Sequence, residues 1–292
     1  MGDKNTNFRE HRITSQDGLG LYVRDYGNAA SSATVVLCLA GLTRNSRDFH
    51  ALALHLCGQR RVLSLDYRGR GRSDYDHDWR NYIPITYVND VRHVLAALGV
   101  QRAFVVGTSL GGIIAMAMAA AIPTSLSGAL LNDVGPEIEA AGLTKIIKYM
   151  RAEMPLRDWD AAVARLKTFF PDRPAQDEED WLRMARGTYR KCNNGDIVYD
   201  WDDAILKPIL AAAGNTVDLW QLFLALSKVP LVAVRGGLSD ILSEPTFRRM
   251  AKVMPGLIQV TVASVGHAPT LSEPEVLEVL DGKLAVTDRT GH

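Results

Sequence analysis

The stretch that decides the fold is VVGTSLGGIIA, residues 105–115, which contains a G-x-S-x-G sequence centred on Ser109. An apolar run ends at its start and an apolar segment with helical periodicity follows, so the pattern predicts a buried strand, a tight turn and a helix. Glycines flank the serine because a Cβ two residues to either side would clash in such a turn. The turn would expose the Ser109 hydroxyl above the sheet edge, at a helix N-terminus that favours developing negative charge. Ser109 is therefore a candidate nucleophile.

Short apolar runs of the same kind recur along the chain and predict strands that are buried on both faces. They lie at residues 34–39, 61–65, 103–106, 126–131, 231–234 and 257–262. Segments with helical periodicity separate most of them, which predicts parallel strands joined by crossover helices. At the N-terminus, Phe8–Ser15 and Gly20–Asp25 flank an Asp-Gly turn and predict an antiparallel hairpin. The expected fold class is α/β, with a mostly parallel eight-stranded sheet flanked by helices.

One region breaks the alternation of strand and helix. Residues 135–226 contain no convincing strand, several helix-like stretches and four of the five tryptophans. This pattern predicts a helical cap inserted between two parts of a core, residues 1–134 and 227–292.

Composition limits the partners. The chain has 33 basic and 33 acidic side chains among 292 residues, so it offers no basic stripe for nucleic acid and no polybasic patch for an anionic membrane. Three widely separated cysteines indicate free thiols in a reducing compartment. No secretory leader and no apolar run long enough to span a membrane is evident. We expect a cytoplasmic protein, a monomer or homodimer, whose partner is a small molecule.

A serine nucleophile needs a base, and His267 is the best placed of the seven histidines. It directly follows the last predicted strand, at the carboxyl edge of the sheet where open α/β sheets build their sites. The base needs an acid to fix its tautomer. Asp240 and Asp133 both follow predicted strands, and either could reach the histidine. We favour Asp240, because it completes the chain order Ser, Asp, His, and keep Asp133 as the alternative acid.

Acyl transfer also needs N–H donors for the oxyanion. The backbone amide of Leu110, directly after the nucleophile, is one candidate, and that of Leu42, in the loop after the strand at 34–39, is the other. The turn at residues 66–74, DYRGRGRSD, lacks the third glycine of a dinucleotide motif and predicts a structured loop in which Asp66 bonds backbone amides. No H-E-x-x-H sequence is present, so we expect neither a metal nor another cofactor.

The chain resembles the α/β-hydrolase superfamily from about Phe8 to Asp281, because separate motifs occur in the order typical of its members. These are the glycine loop at Gly41, the D-x-x-G-x-G-x-S turn from Asp66 to Ser73, the elbow at Ser109, the acid loop at Asp240 and the G-H-x-P loop at His267. The segments at residues 41–49 and 132–136 look like those of bacterial serine esterases and lactonases. Such relatives carry a helical cap after the sixth strand.

The resemblance and the motifs together predict a serine hydrolase that cleaves a small, mostly apolar carboxylic ester through an acyl-enzyme intermediate. A serine nucleophile does not separate an esterase from a lactonase or from a hydrolase of C–C bonds in a product of aromatic degradation. A non-catalytic ligand-binding member is a further alternative, but it would require a damaged triad.

Overall fold

A computed structural model describes residues 7–173, 177–212 and 218–290. Within these ranges the chain forms ten strands. They are β1 Phe8–Thr14, β2 Gly20–Tyr26, β3 Val35–Leu39, β4 Val62–Asp66, β5 Ala103–Thr108, β6 Leu126–Asn132, β7 Tyr189–Lys191, β8 Ile197–Tyr199, β9 Leu231–Gly236 and β10 Ile258–Val262. Eight of them form one sheet in the order β1-β2-β4-β3-β5-β6-β9-β10. β2 runs in the direction opposite to that of the other seven strands, so the predicted mostly parallel eight-stranded sheet is confirmed.

The apolar runs form strands because both faces of the sheet are covered. Every residue of β4 and β9 is buried, as is all of β5 except its last residue. The helices of the described ranges are α1 His50–Leu56, α2 Pro84–Ala97, α3 Leu110–Ala121, α4 Ala140–Met150, α5 Trp159–Phe169, α6 Glu178–Thr188, α7 Leu206–Ala211, α8 Leu219–Ala225, α9 Glu244–Val253 and α10 Pro274–Thr290. Helix α3 packs on the central strands β3, β5 and β6, which anchors the turn that carries Ser109.

Between β6 and β9 the chain leaves the sheet for residues 133–230, which we call the inserted segment. It carries helices α4 to α8, as the tryptophan-rich pattern predicts, and the division into core and cap stays a prediction. The expectation that this region has no strand is wrong, because β7 and β8 pair there as a small antiparallel hairpin. Each strand has only three residues, too few to show a period of two. Aromatic packing stabilises the hairpin, with the rings of Tyr199 and Trp201 stacked at a centroid distance of 3.9 Å.

Two other predicted local structures are present. Strands β1 and β2 form the antiparallel hairpin, with Phe8 opposite Tyr26 and Thr14 opposite Gly20. In the turn after β4, the carboxylate of Asp66 accepts hydrogen bonds from the backbone N–H groups of Ser46 at 2.6 Å and Arg72 at 2.9 Å. The buried carboxylate thus fixes both the turn and the loop after β3.

The three cysteines are free thiols, as their spacing indicates. No helix in the described part of the chain combines the length and the apolar character needed to cross a membrane.

Candidate active site

Ser109 occupies the turn between β5 and α3, where its backbone has φ 52° and ψ −115°. A positive φ at a residue other than glycine is strained, and such strain concentrates at functional sites. The flanking glycines have a steric reason. A Cβ at Gly107 would lie 2.4 Å from the backbone of Gly111, and a Cβ at Gly111 would lie 1.9 Å from the carbonyl oxygen of Leu39. The G-x-S-x-G sequence therefore lies in the strand, turn and helix that it predicts.

His267 lies in the loop after β10, and its Nδ1 atom is 2.6 Å from Oδ2 of Asp133. Asp133 is the first residue after β6 and is fully buried. Its carboxylate also accepts hydrogen bonds from the N–H of Gly236 at 2.8 Å and from the hydroxyl of Ser239 at 2.6 Å. Because an ionised carboxylate can only accept, Nδ1 of His267 donates to it and Nε2 is left as a proton acceptor.

The preference for Asp240 as the partner of His267 is contradicted by this geometry. Asp240 lies four residues beyond the end of β9, is about one-third exposed, and forms an ion pair with Lys145 at 3.0 Å. The loop after β9 instead contributes Ser239, whose hydroxyl supports Asp133. The alternative acid is the one that the structure brings to the histidine, because β6 lies directly between β5 and β9 in the sheet.

The side chains of Ser109 and His267 line one cavity, which lies between the sheet edge and the inserted segment. Its volume is about 120 Å³, slightly less than the roughly 150 Å³ of an engineered cavity that binds benzene. The enclosed space therefore suits a group of a few heavy atoms. Two aromatic side chains of the inserted segment, Tyr149 and Phe170, line it.

The two candidate oxyanion donors lie in different elements. Leu110 is the first residue of α3, so its N–H has no acceptor within the helix. Leu42 lies in the loop after β3, and a Cβ at its neighbour Gly41 would be 3.7 Å from Cβ of Ser109. The buried Arg70 holds this loop, because its Nε donates to the carbonyl oxygen of Leu42 at 2.5 Å. The turn at residues 66–74 therefore packs against the loop that carries Leu42.

Asn132 is a structural feature of the site that the sequence reasoning missed. Its Nδ2 donates to the hydroxyl of Thr108 at 3.0 Å and to the carbonyl oxygen of Pro269 at 2.9 Å. The side chain therefore ties the loop that carries His267 to the strand that carries Ser109. A polar residue at the end of the apolar run 126–131 was the available signal.

Arg44 and Asp48, which also line the cavity, were missed as well. Nε of Arg44 donates to the Asp48 carboxylate at 2.7 Å, and its guanidinium also bonds the hydroxyl of Thr188 in the inserted segment. Burial alone would lower the pKa of Arg44, but the charge of Asp48 and the hydrogen bond to it, together with Tyr149 and Tyr189, outweigh burial and raise the pKa. The pair is therefore an internally neutralised contact between the loop after β3 and the inserted segment.

Within the described ranges, no three His, Cys, Asp or Glu side chains are grouped in a way that could hold a metal ion. The site brings together three groups that could carry chemistry: a serine hydroxyl, an imidazole and a buried carboxylate.

A sequence model described as the alpha/beta hydrolase family matches residues 36–278. The chain belongs to that family. A structure of an alpha/beta hydrolase from Novosphingobium aromaticivorans is similar to it with a TM-score of 0.89 and 42% identity, covering 96% of this chain and 99% of the other.

Two curated proteins are similar to this chain over most of their own length. The 3-hydroxybutyrate-oligomer hydrolase of Cupriavidus necator is 31% identical over 87% of this chain and 89% of its own. The 2-(acetamidomethylene)succinate hydrolase of Mesorhizobium japonicum is 26% identical over 91% and 93%. Both relatives are hydrolases, which supports hydrolase activity for this chain.

Proposed function

We propose that the chain is a serine hydrolase that cleaves a small carboxylic ester through an acyl-enzyme intermediate. The observation that carries the proposal is the 2.6 Å bond from His267 to the buried Asp133, at the wall of the cavity that also contains Ser109. A bond that fixes one imidazole nitrogen as a donor prepares the other to take a proton from the serine.

In the first half-reaction, Nε2 of His267 takes the hydroxyl proton as Oγ of Ser109 attacks the ester carbonyl carbon. The backbone amides of Leu42 and Leu110 stabilise the negative charge that develops on the carbonyl oxygen. One such donor is worth about 3 to 4 kcal/mol in related enzymes. As the C–O bond to the alcohol breaks, the imidazolium gives its proton to the leaving oxygen, and the acyl group stays on the serine.

In the second half-reaction, His267 takes a proton from water, whose oxygen attacks the acyl-enzyme carbonyl. Collapse of this intermediate releases the acid and returns the proton to Oγ of Ser109. The charge of Asp133 stabilises the imidazolium in both steps without itself becoming protonated. Overall, one ester and one water give one acid and one alcohol.

Ser109→Ala tests the proposal with p-nitrophenyl acetate and butyrate as substrates. We expect kcat to fall on the order of 10⁵-fold or more, because loss of a triad nucleophile has this effect in a related mechanism. A fluorophosphonate probe should label the protein at Ser109, and labelling should disappear in Ser109→Ala. Unchanged ester turnover in the variant, or no labelling of the folded protein, would refute the mechanism.

A lactone uses the same nucleophile and the same oxyanion donors, so a lactone panel belongs in the same assay. A vinylogous diketone tests C–C cleavage.

We further propose a small-molecule substrate and a cytoplasmic location, the latter supported by three free thiols.

A further inference from the structure

The cavity contains one positive charge that no described residue neutralises. Its charged lining groups are the guanidinium groups of Arg44 and Arg173 and the carboxylate of Asp48. Arg44 is paired with Asp48 and donates a hydrogen bond to the hydroxyl of Thr188 in the inserted segment. The guanidinium of Arg173 is therefore the charged group of the lining that has no ion-pair partner among the described residues.

Arg173 lies shortly after α5, and it is partly buried. Its backbone N–H donates to the carbonyl oxygen of Phe170 at 3.2 Å. Its guanidinium has no hydrogen bond or ion pair with any residue of the described ranges. The side chain also lines a smaller adjoining cavity together with His267, so it lies on the side of the site that holds the imidazole.

Three nearby carboxylates have other partners, while that of the exposed Asp172, which lines the adjoining cavity, forms no ion pair with Arg173 within the described ranges. Asp48 accepts a hydrogen bond from Arg44, and Asp240 forms an ion pair with Lys145. Glu273 accepts through Oε1 from the N–H and the hydroxyl of Thr270, at 2.8 and 2.9 Å. The other carboxylate oxygen of Glu273, Oε2, is buried and has no hydrogen-bond partner among the described residues. Asp48 and Glu273 attract the charge of Arg173 without forming an ion pair with it.

The pKa of Arg173 is consistent with a buried guanidinium that has no ion-pair partner. Burial lowers the pKa of Arg173 to about 10, and the positive charge of Arg44 acts in the same direction. Attraction to Asp48 and Glu273 offsets only part of this effect. The guanidinium is still protonated at neutral pH, and an anion that entered the cavity would relieve the cost of holding the charge unpaired.

We propose that Arg173 binds a free carboxylate carried by the ester substrate, so the enzyme prefers anionic esters to neutral ones. The inference rests on the serine hydrolase function proposed above and narrows its substrate class. A carboxylate fits because guanidinium presents two parallel N–H donors to its two oxygens. The small volume suits a short-chain acid, and the remaining lining is largely apolar. Its apolar members include Leu42, Ile146, Leu166, Phe170, Met184 and Leu271.

Two matched substrate pairs test the preference, and they separate the two halves of the ester. Monoethyl succinate has its carboxylate in the acyl half, and ethyl succinamate replaces it with a neutral amide of the same shape. The ion 3-acetoxypropanoate has its carboxylate in the alcohol half, and 3-acetoxypropanamide is its neutral counterpart. Acid release in a pH-stat gives kcat/KM for each. We expect the carboxylate to be preferred by about 10- to 100-fold in at least one pair.

The variants are chosen to separate charge from shape. Arg173→Met removes the charge and keeps an unbranched though shorter side chain, and it should bring the ratio of carboxylate to amide turnover close to one. Arg173→Lys keeps the charge but not the fork, and should restore only part of the preference. Arg157→Met is the matched control, because Arg157 lies in the same inserted segment with its side chain 84% exposed. It should retain the wild-type ratio.

Binding without turnover gives a second readout. Monoethyl succinate and 3-acetoxypropanoate are each titrated calorimetrically into Ser109→Ala and into Ser109→Ala/Arg173→Met. At least one of the two ions should bind Ser109→Ala about 10-fold or more tightly than it binds the double variant. Equal turnover within both pairs by the wild-type enzyme, or equal affinity of the two Ser109→Ala proteins for both ions, would overturn the role of Arg173. If instead Ser109 is not labelled by a fluorophosphonate and no ester is cleaved, the proposed function fails, while the titrations still decide whether Arg173 binds a carboxylate.

Discussion

Replacing Asp133 by asparagine should nearly abolish ester hydrolysis while the fold survives. The amide oxygen can still accept from the N–H of Gly236, which leaves the NH₂ group facing His267. Nδ1 must then accept, the ring proton moves to Nε2, and the histidine can no longer take the proton of Ser109. Asp133 is fully buried, so no water can replace its charge. We expect kcat to fall about 10⁴-fold, equivalent to about 5.4 kcal/mol at about 1.36 kcal/mol per tenfold change.

Asp240→Asn is the matched control for this prediction. It removes one half of a partly exposed ion pair with Lys145, a contact worth about 0.2 to 1 kcal/mol of stability. Turnover of p-nitrophenyl acetate should stay within about threefold of wild type. Steady-state kinetics at pH 8 and circular dichroism of all three proteins provide the comparison. The reasoning is refuted if Asp240→Asn loses the activity and Asp133→Asn keeps it.

Gly111→Ala should cost at least about 1 to 3 kcal/mol of unfolding free energy, because the new Cβ would lie 1.9 Å from the carbonyl oxygen of Leu39. Gly282→Ala, at a helical position with open space around it, should be neutral or stabilising in the same thermal melts; equal melting temperatures for the two variants would contradict the steric argument. A hydrogen bond from Arg68 lowers the pKa of Asp17 to about 2, against about 3.9 in an unfolded chain. The ionised Asp17 carboxylate therefore stabilises the fold above about pH 4, and this stabilisation is lost as the pH falls towards 2. Because the Asp17 side chain is 45% exposed, we discount this to on the order of 1 kcal/mol, and urea unfolding at pH 5 and pH 3 should show a smaller pH dependence for Asp17→Asn than for wild type.

Local features could be read directly from the chain. The sheet strands are short continuous apolar runs, and the turn at Ser109 is set by two glycines only two residues away on either side. Steric exclusion in a tight turn and burial of an apolar run act within a few residues, so their signals are written locally. The same holds for Asp66, whose bonds to backbone amides organise its own turn.

The acid could not be chosen in this way. Both Asp133 and Asp240 lie between Ser109 and His267 in the chain, so the order Ser, Asp, His does not distinguish them. The choice depends on the order of β5, β6 and β9 across the sheet and on which loop residue turns inward. Both are long-range properties of the fold. In the folded chain the Ser239 hydroxyl bonds Asp133, and Lys145 pairs with Asp240.

By itself, the sequence determined the strands of the sheet, the turn that carries Ser109 and the position of the loop that carries His267, because these follow from patterns within short windows. Only the tertiary structure decided which carboxylate meets His267 and which arginine in the cavity is left without a partner. The physical reason is that the role of a charged side chain depends on which other charges and hydrogen-bonding groups the fold places beside it. Arg44 and Arg173 are alike in sequence, and pairing of the first with Asp48 is what makes the second a candidate for binding substrate.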